Sequence, residues 1–186
     1  MGDIFGGDSD SLEEELNQII EFGHNLDRLN SLSLLNVLGE RVLREKTQTF
    51  LGKLLGHALV TVKRSFDRFI AERIEGLNFK IALKKQQFFS SEIEDYNLKP
   101  TKKTGILWFV KEFEDLANLA EKIFERAERR SDLNRAYTKL IRAVYSGIDK
   151  CSDQSEKTPP EVIRFQNFHN CFAVLSSLKI EVSCTL

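Results

Sequence analysis

The segment GILWFVKEFEDLANLAEKIFERA, Gly105 to Ala127, carries Phe109, Phe113, Leu116, Ala120, Ile123 and Ala127 at alternating steps of four and three. That spacing places all six on one side of an α-helix, with charged residues on the other, and such a stripe has to be covered by a neighbour. Two more stripes of the same period follow. Ser131-Asp132 offers a cap and a change of direction before Leu133, Tyr137, Leu140, Ile141, Val144 and Ile148. After a short polar turn over 151–157, Thr158-Pro159-Pro160-Glu161 opens a helix with Val162, Phe165, Phe168, Phe172, Leu175 and Leu178 on its apolar face. There Thr158 is expected to cap, the prolines to fill the first turn where an N–H has no intrahelical partner, and Glu161 to complete a capping box. Phe165, Phe168 and Phe172 are assigned to the core, and His169 to its border. Few residues follow to cover this face, so it is expected to self-associate or to wait for a partner.

Upstream, residues 1–10 combine three Asp and three Gly with little to bury and are expected to be an acidic flexible tail. Ser11 with Glu14 reads as a capping box that opens a helix carrying Leu12, Leu16, Ile19, Ile20 and Leu26. Glu13, Glu14 and Glu15 suit the positive end of that helix dipole, which accounts for them without an acidic docking motif. Ser31 or Ser33 is the expected cap of a short helix containing Leu34, Leu35, Leu38, Val42 and Leu43, with a turn near Gln48. A long helix follows, from Leu51 through Ala58, Val62, Phe66 and Phe69 to Leu77. About thirty residues at about 1.5 Å each span about 45 Å, which suits a rod-like bundle. Gly52 and Gly56 form a G-x-x-x-G, explained by close approach of a neighbouring helix or plain tolerance of Gly. The helices of 11–77 are then separated from a C-terminal bundle segment, 105–186, by a linker or insertion over 78–104. That linker holds Lys80, Lys84, Lys85, Lys99, Lys102 and Lys103, but Glu92, Glu94 and Asp95 lie among them, favouring a solvated connection over an anionic-lipid patch.

Composition supports the same class. Over 186 residues, 41% are apolar and 14 are Phe, enough to build a core, while only three Pro interrupt a chain that is 30% charged with both signs mixed. A net charge of -1 argues against nucleic-acid binding. Cys151, Cys171 and Cys184 are an odd number without metal-ligand spacing, as in a reduced intracellular protein. No run of apolar residues is long enough to cross a membrane, and no signal peptide, myristoylation signal or prenylation box is present. A cytoplasmic chain is expected.

Catalytic chemistry is missing from the pattern. His24, His57 and His169 are scattered over separate helices, without a Glu or His at the spacing of a zinc or acid-base motif. Two residues on a helix separate His169 and Cys171 onto different faces, which excludes them as base and nucleophile. No phosphate loop or nucleophile elbow occurs. The expectation is a protein that is not an enzyme, with no catalytic residue, no cofactor and no metal.

Several strings are more specific than helix composition. Gly105-Ile106-Leu107, Ala127-Glu128-Arg129-Arg130, Ala136 through Arg142 (AYTKLIR), Lys157-Thr158-Pro159, Asn167-Phe168-His169 and Leu178-Lys179-Ile180 occur in this order, and Leu54-Leu55-Gly56 through Arg64-Ser65-Phe66-Asp67 precede them. In these strings the chain resembles the exocyst complex component 1 family over about residues 35–180. The resemblance implies an all-α, elongated antiparallel helical bundle, part of a tethering-complex helical rod. It also implies a non-catalytic subunit of the exocyst, which tethers secretory vesicles to the plasma membrane during exocytosis. Other exocyst subunits would be its partners, membrane contact would be indirect through the complex, and the location would be cytoplasmic and peripheral at sites of exocytosis. The family's lipid-headgroup domain and assembly coiled coil have no counterpart here. Residues 80–97 depart from the family pattern, and the chain is expected to be a fragment or short form. A lipid- or small-GTPase-binding regulatory module is the alternative, with the lysine-rich linker or the acidic helix at Ser11 as its contact.

Overall fold

The computed structural model describes residues 6–46, 48–87, 105–155 and 158–180. Among them are six helices and no strand: α1 (Gly6–Leu26), α2 (Asn30–Arg44), α3 (Phe50–Gln87), α4 (Trp108–Ile123), α5 (Ser131–Asp153) and α6 (Pro160–Ser177). The all-α class expected from the helical period is the one the chain adopts. Two compact units divide it: Met1–Ile70 with Ile123–Asp132, and Ala71–Lys122 with Leu133–Leu186.

In the first unit Glu13 Oε2 lies 2.7 Å from His57 Nδ1, and one turn on Thr61 donates to Asn17 at 2.8 Å. The partner numbers rise together, so α1 and α3 run parallel and α2 returns the chain between them. Ile20, Leu32, Leu35, Ala58, Val62, Phe66 and Phe69 fill the space they enclose, and Phe124 is buried from the α4–α5 turn. That turn is tied to α2 by polar contacts. Asn36 Nδ2 donates to the Ile123 carbonyl at 2.8 Å, and the Glu128 N–H donates to Glu40 at 2.8 Å. Lys63 pairs with Asp132 at 3.0 Å at the start of α5.

In the second unit the pairings run in opposite senses. Tyr137 donates to Glu121 at 3.0 Å, Asp149 accepts from Arg164 at 3.0 Å, and Tyr145 meets Phe168, so α4, α5 and α6 are antiparallel neighbours. Every position of the α5 stripe named above, Leu133 to Ile148, is buried. Gly147 belongs with them for a steric reason. A Cβ there would stand 2.9 Å from Ile81 Cδ1 and 3.2 Å from Phe109 Cζ, so α5 accepts α3 and α4 closely only because that atom is missing.

Several boundaries differ from the sequence expectation. Residues 6–10, assigned to the flexible tail, belong to α1, which puts Ser11 inside the helix rather than at its cap; residues 1–5 lie outside the described residues. Neither Ser31 nor Ser33 caps α2. The chain turns earlier, where Asp27 Oδ1 accepts from Leu29 N at 2.9 Å and Asn30 Nδ2 donates to the carbonyl of Gly23 at 2.8 Å, serving an end-of-helix group that α1 leaves open. Helix α3 is 38 residues long and continues to Gln87, into the span expected to be linker; 88–104 lie outside the described residues. The stripe of α4 is also displaced. Ala117 and Phe124 are buried where Leu116 and Ile123 were expected, because the helix ends at Ile123 and its inward side is centred on Phe113 and Ala120.

Candidate interaction surfaces

Among the described residues the histidines and cysteines do not assemble a metal site. His24 is buried in α1 with Nδ1 unpartnered, His57 is held by Glu13, and His169 is exposed on α6, stacked on Phe165 with ring centroids 6.0 Å apart. Among the described residues no three His, Cys, Asp or Glu side chains converge as metal ligands. Cys171 is buried, and burial pushes its thiol up to about 12, so the nucleophilic thiolate is absent near neutral pH. Cys151 is a half-buried thiol at the end of α5, and Cys184 lies outside the described residues.

The most ordered polar arrangement is structural, and it rests on a residue that helical periodicity does not single out. Asn167 is fully buried in α6. Its Oδ1 accepts from the Leu107 N–H at 2.7 Å, and its Nδ2 donates to the carbonyls of Ile163 at 2.8 Å and Gly105 at 3.2 Å. One side-chain amide thereby satisfies backbone groups of the segment that leads into α4, which no helix or sheet would otherwise serve. Gly105 has a φ of 65°, a left-handed conformation in which a side chain would be strained.

Because Asn167, Cys171 and Val174 face inward, the aromatic residues of α6 cannot all do so. Phe165 and Phe172, both assigned to the core from sequence, are 72% and 67% exposed. Only Phe168 packs, half-buried and edge-on to Tyr145 at 5.0 Å. The correction has a simple cause: α6 is apolar on more than one side, and the Asn167 bonds to 105–107 rotate 165 and 172 outward. Thr158 also loses its expected role. Pro159 occupies the cap position with ψ at 133° and makes no side-chain cap bond. A residue preceding proline is driven out of the helical region, so Pro160 starts the helix one position later and Thr158 lies too far back. Thr158 instead donates its N–H to Ser155 Oγ at 3.3 Å.

Two features weighed from sequence resolve locally. Lys80 is on α3, its ammonium 4.5 Å from the centre of the Trp108 ring and 4.0 Å from Glu112, which removes it from any loop patch. Of G-x-x-x-G, a Cβ on Gly52 would strike the Lys46 carbonyl at 2.2 Å, while one on Gly56 would meet nothing within 4 Å. The close approach is thus to the α2–α3 turn, where Thr49 Oγ1 accepts from Gly52 N at 3.0 Å and caps α3.

A family model described as exocyst complex component Sec3, C-terminal, matches residues 1–91 and 89–186. The chain belongs to this family. The two matched segments overlap at residues 89–91, inside the 80–97 stretch that was expected to depart from the family pattern. Among Sec3-related proteins, the chain is 42% identical over 172 residues to exocyst complex component 1 of Mus musculus. It is 34% identical over 170 residues to the Drosophila melanogaster protein of the same name. Each alignment covers 91% of this chain and 17% of the relative, so the chain spans about one-sixth of the length of the curated relatives it matches. No solved structure matches. Within this Sec3 C-terminal segment, two strings that carried the resemblance, Gly105–Leu107 and Asn167–His169, meet through the bonds of Asn167. No helix among the described residues is long and apolar enough to cross a membrane.

Proposed function

We propose that this chain is a non-catalytic helical segment of an exocyst subunit, contributing structure and partner contacts to the complex that tethers secretory vesicles before fusion. The observation that carries this reading is the Sec3 C-terminal match across both halves of the chain. The buried side chains are mostly apolar packing positions, with His24, Ser31, Ser65, Ser152 and Asn167 as the buried polar residues, as suits a helical scaffold. On this reading the partners are other exocyst subunits, and membrane contact is indirect, at the cytoplasmic side of sites of exocytosis. The test is co-expression of the tagged chain with the remaining exocyst subunits, followed by affinity capture and size-exclusion chromatography. At least one subunit should co-elute stoichiometrically. A chain that elutes alone in every pairing, while its circular dichroism shows it folded, would overturn the proposal.

A further inference from the structure

Thr158-Pro159 is a sequence motif that helix capping leaves unused. It is the one Ser/Thr-Pro pair in the chain, whose other prolines are Pro100, after Lys99, and Pro160, after Pro159. Hydroxyls elsewhere in the fold have partners: Thr49 caps α3, Thr61 donates to Asn17, and Thr138 and Ser152 donate to carbonyls one turn back in α5. The Thr158 hydroxyl bonds to nothing among the described residues; only its N–H is engaged, by Ser155. Thr158 and Pro159 are both exposed, in the turn between α5 and α6. The backbone at Pro159 is extended, with φ -52° and ψ 133°, because Pro160 follows and keeps it out of the helical region.

We propose that Thr158 is an acceptor site for a proline-directed protein kinase. A kinase holds its acceptor in extended chain, and a pocket that offers the next residue's nitrogen no acceptor selects proline, which has no N–H to strand. In the transfer, Thr158 Oγ1 forms a bond to the γ-phosphorus of ATP while the bond from that phosphorus to the β–γ bridging oxygen breaks. The electron pair of the broken bond leaves with ADP, and the hydroxyl proton passes to the kinase's catalytic base. The phosphate adds a charge of about −1.5 to −2 at neutral pH. It lands on a turn that exposes Asp153 and Glu161, where Arg164 is already held by Asp149 and Asp153. The fold tolerates it, because Asn167, Cys171 and Val174, which seat α6, lie further along the helix and face inward. Phosphorylation therefore changes the charge of this surface and not the packing beneath it. The inference stands on this turn alone and does not require the tethering role.

The test incubates the folded full chain with ATP and, in separate reactions, a purified mitogen-activated kinase and a purified cyclin-dependent kinase, and reads the product by intact mass and peptide sequencing. At least one kinase should add a single phosphate, at Thr158, with circular dichroism unchanged. Thr158→Ala should take up none, and Pro159→Ala should be modified about tenfold slower or more, the discrimination that one stranded N–H supplies. The proposal is overturned if neither kinase modifies the folded chain, if the phosphate maps to another residue, or if Pro159→Ala is modified as fast as wild type. It is equally overturned if modification requires prior unfolding in urea. Thr158→Ala keeps the test decisive should Pro159→Ala disturb the turn, since it trims only an exposed side chain.

Discussion

Replacing Asn167 by alanine removes three hydrogen bonds at once, and their surroundings decide what each loss costs. The Ile163 carbonyl lies within α6, where the helix's own N–H serves it, and Gly105 is exposed, so water can take its carbonyl. The Leu107 N–H has no such substitute: its acceptor is the fully buried Oδ1 at 2.7 Å. An orphaned buried donor costs about 1–3 kcal/mol, and the lost packing of the amide adds to it, so Asn167→Ala should destabilise by about 2–3 kcal/mol. For a chain of this length that lowers the melting temperature by about 4–12 °C. Urea titration followed by circular dichroism measures the loss, and amide hydrogen exchange at Leu107 locates it. Asn167→Asp should be no better, because its carboxylate keeps the acceptor but faces two carbonyls that it can no longer supply. The control is Asn170, one turn away in register, whose Nδ2 is buried without a partner. Asn170→Ala should therefore change stability by less than about 0.5 kcal/mol. Equal small losses for Asn167→Ala and Asn170→Ala, with Leu107 exchange unaltered, would refute the role assigned to Asn167.

Other substitutions probe the remaining packing. Gly147→Ala pushes a methyl toward Ile81 and Phe109 and should cost about 1–2 kcal/mol in denaturant melts despite the better helix propensity of alanine. Phe165→Ser and Phe172→Ser should each stay within about 0.5 kcal/mol, whereas Ile148→Ala, from a fully buried position, should cost about 2–5 kcal/mol; reversed magnitudes would mean that α6 is turned the other way. Thr158→Ala should be neutral within about 0.5 kcal/mol, and a loss near 1 kcal/mol would restore it as the cap of α6. Cys171, with its thiol pushed up to about 12 by burial, should resist alkylation at pH 8 in the folded chain and react once urea unfolds it, as mass spectrometry of the modified peptide would report.

Helix period alone determined that this is an all-α chain and placed Leu133, Tyr137, Leu140, Ile141, Val144 and Ile148 on the buried side of α5, because there the large apolar positions form a single stripe and leave one possible inward face, though it did not single out the small buried residues Ala136, Gly147 and Ser152. The family was legible for a different reason: strings such as Gly105-Ile106-Leu107 and Asn167-Phe168-His169 are more specific than helix formation requires. Tertiary structure decided the rest. In α6, apolar residues at 162, 163, 165, 168, 171, 172, 174 and 175 surround much of the axis, so local sequence does not select which of them are buried. The selection is made by a backbone N–H at Leu107, 60 residues away in sequence, whose demand for an acceptor turns Asn167 inward and Phe165 and Phe172 to the outside. In α1 the acidic run that reads as ordinary helix-start chemistry lies within a helix already begun at Gly6. Only the packing of Ile20 and His24 against their neighbours reveals that Leu12, Ile19, Phe22 and Leu26 lie on a different side, exposed among the described residues. Periodicity reports how many faces a helix can bury; the contacts made by distant segments determine which of those faces it does bury.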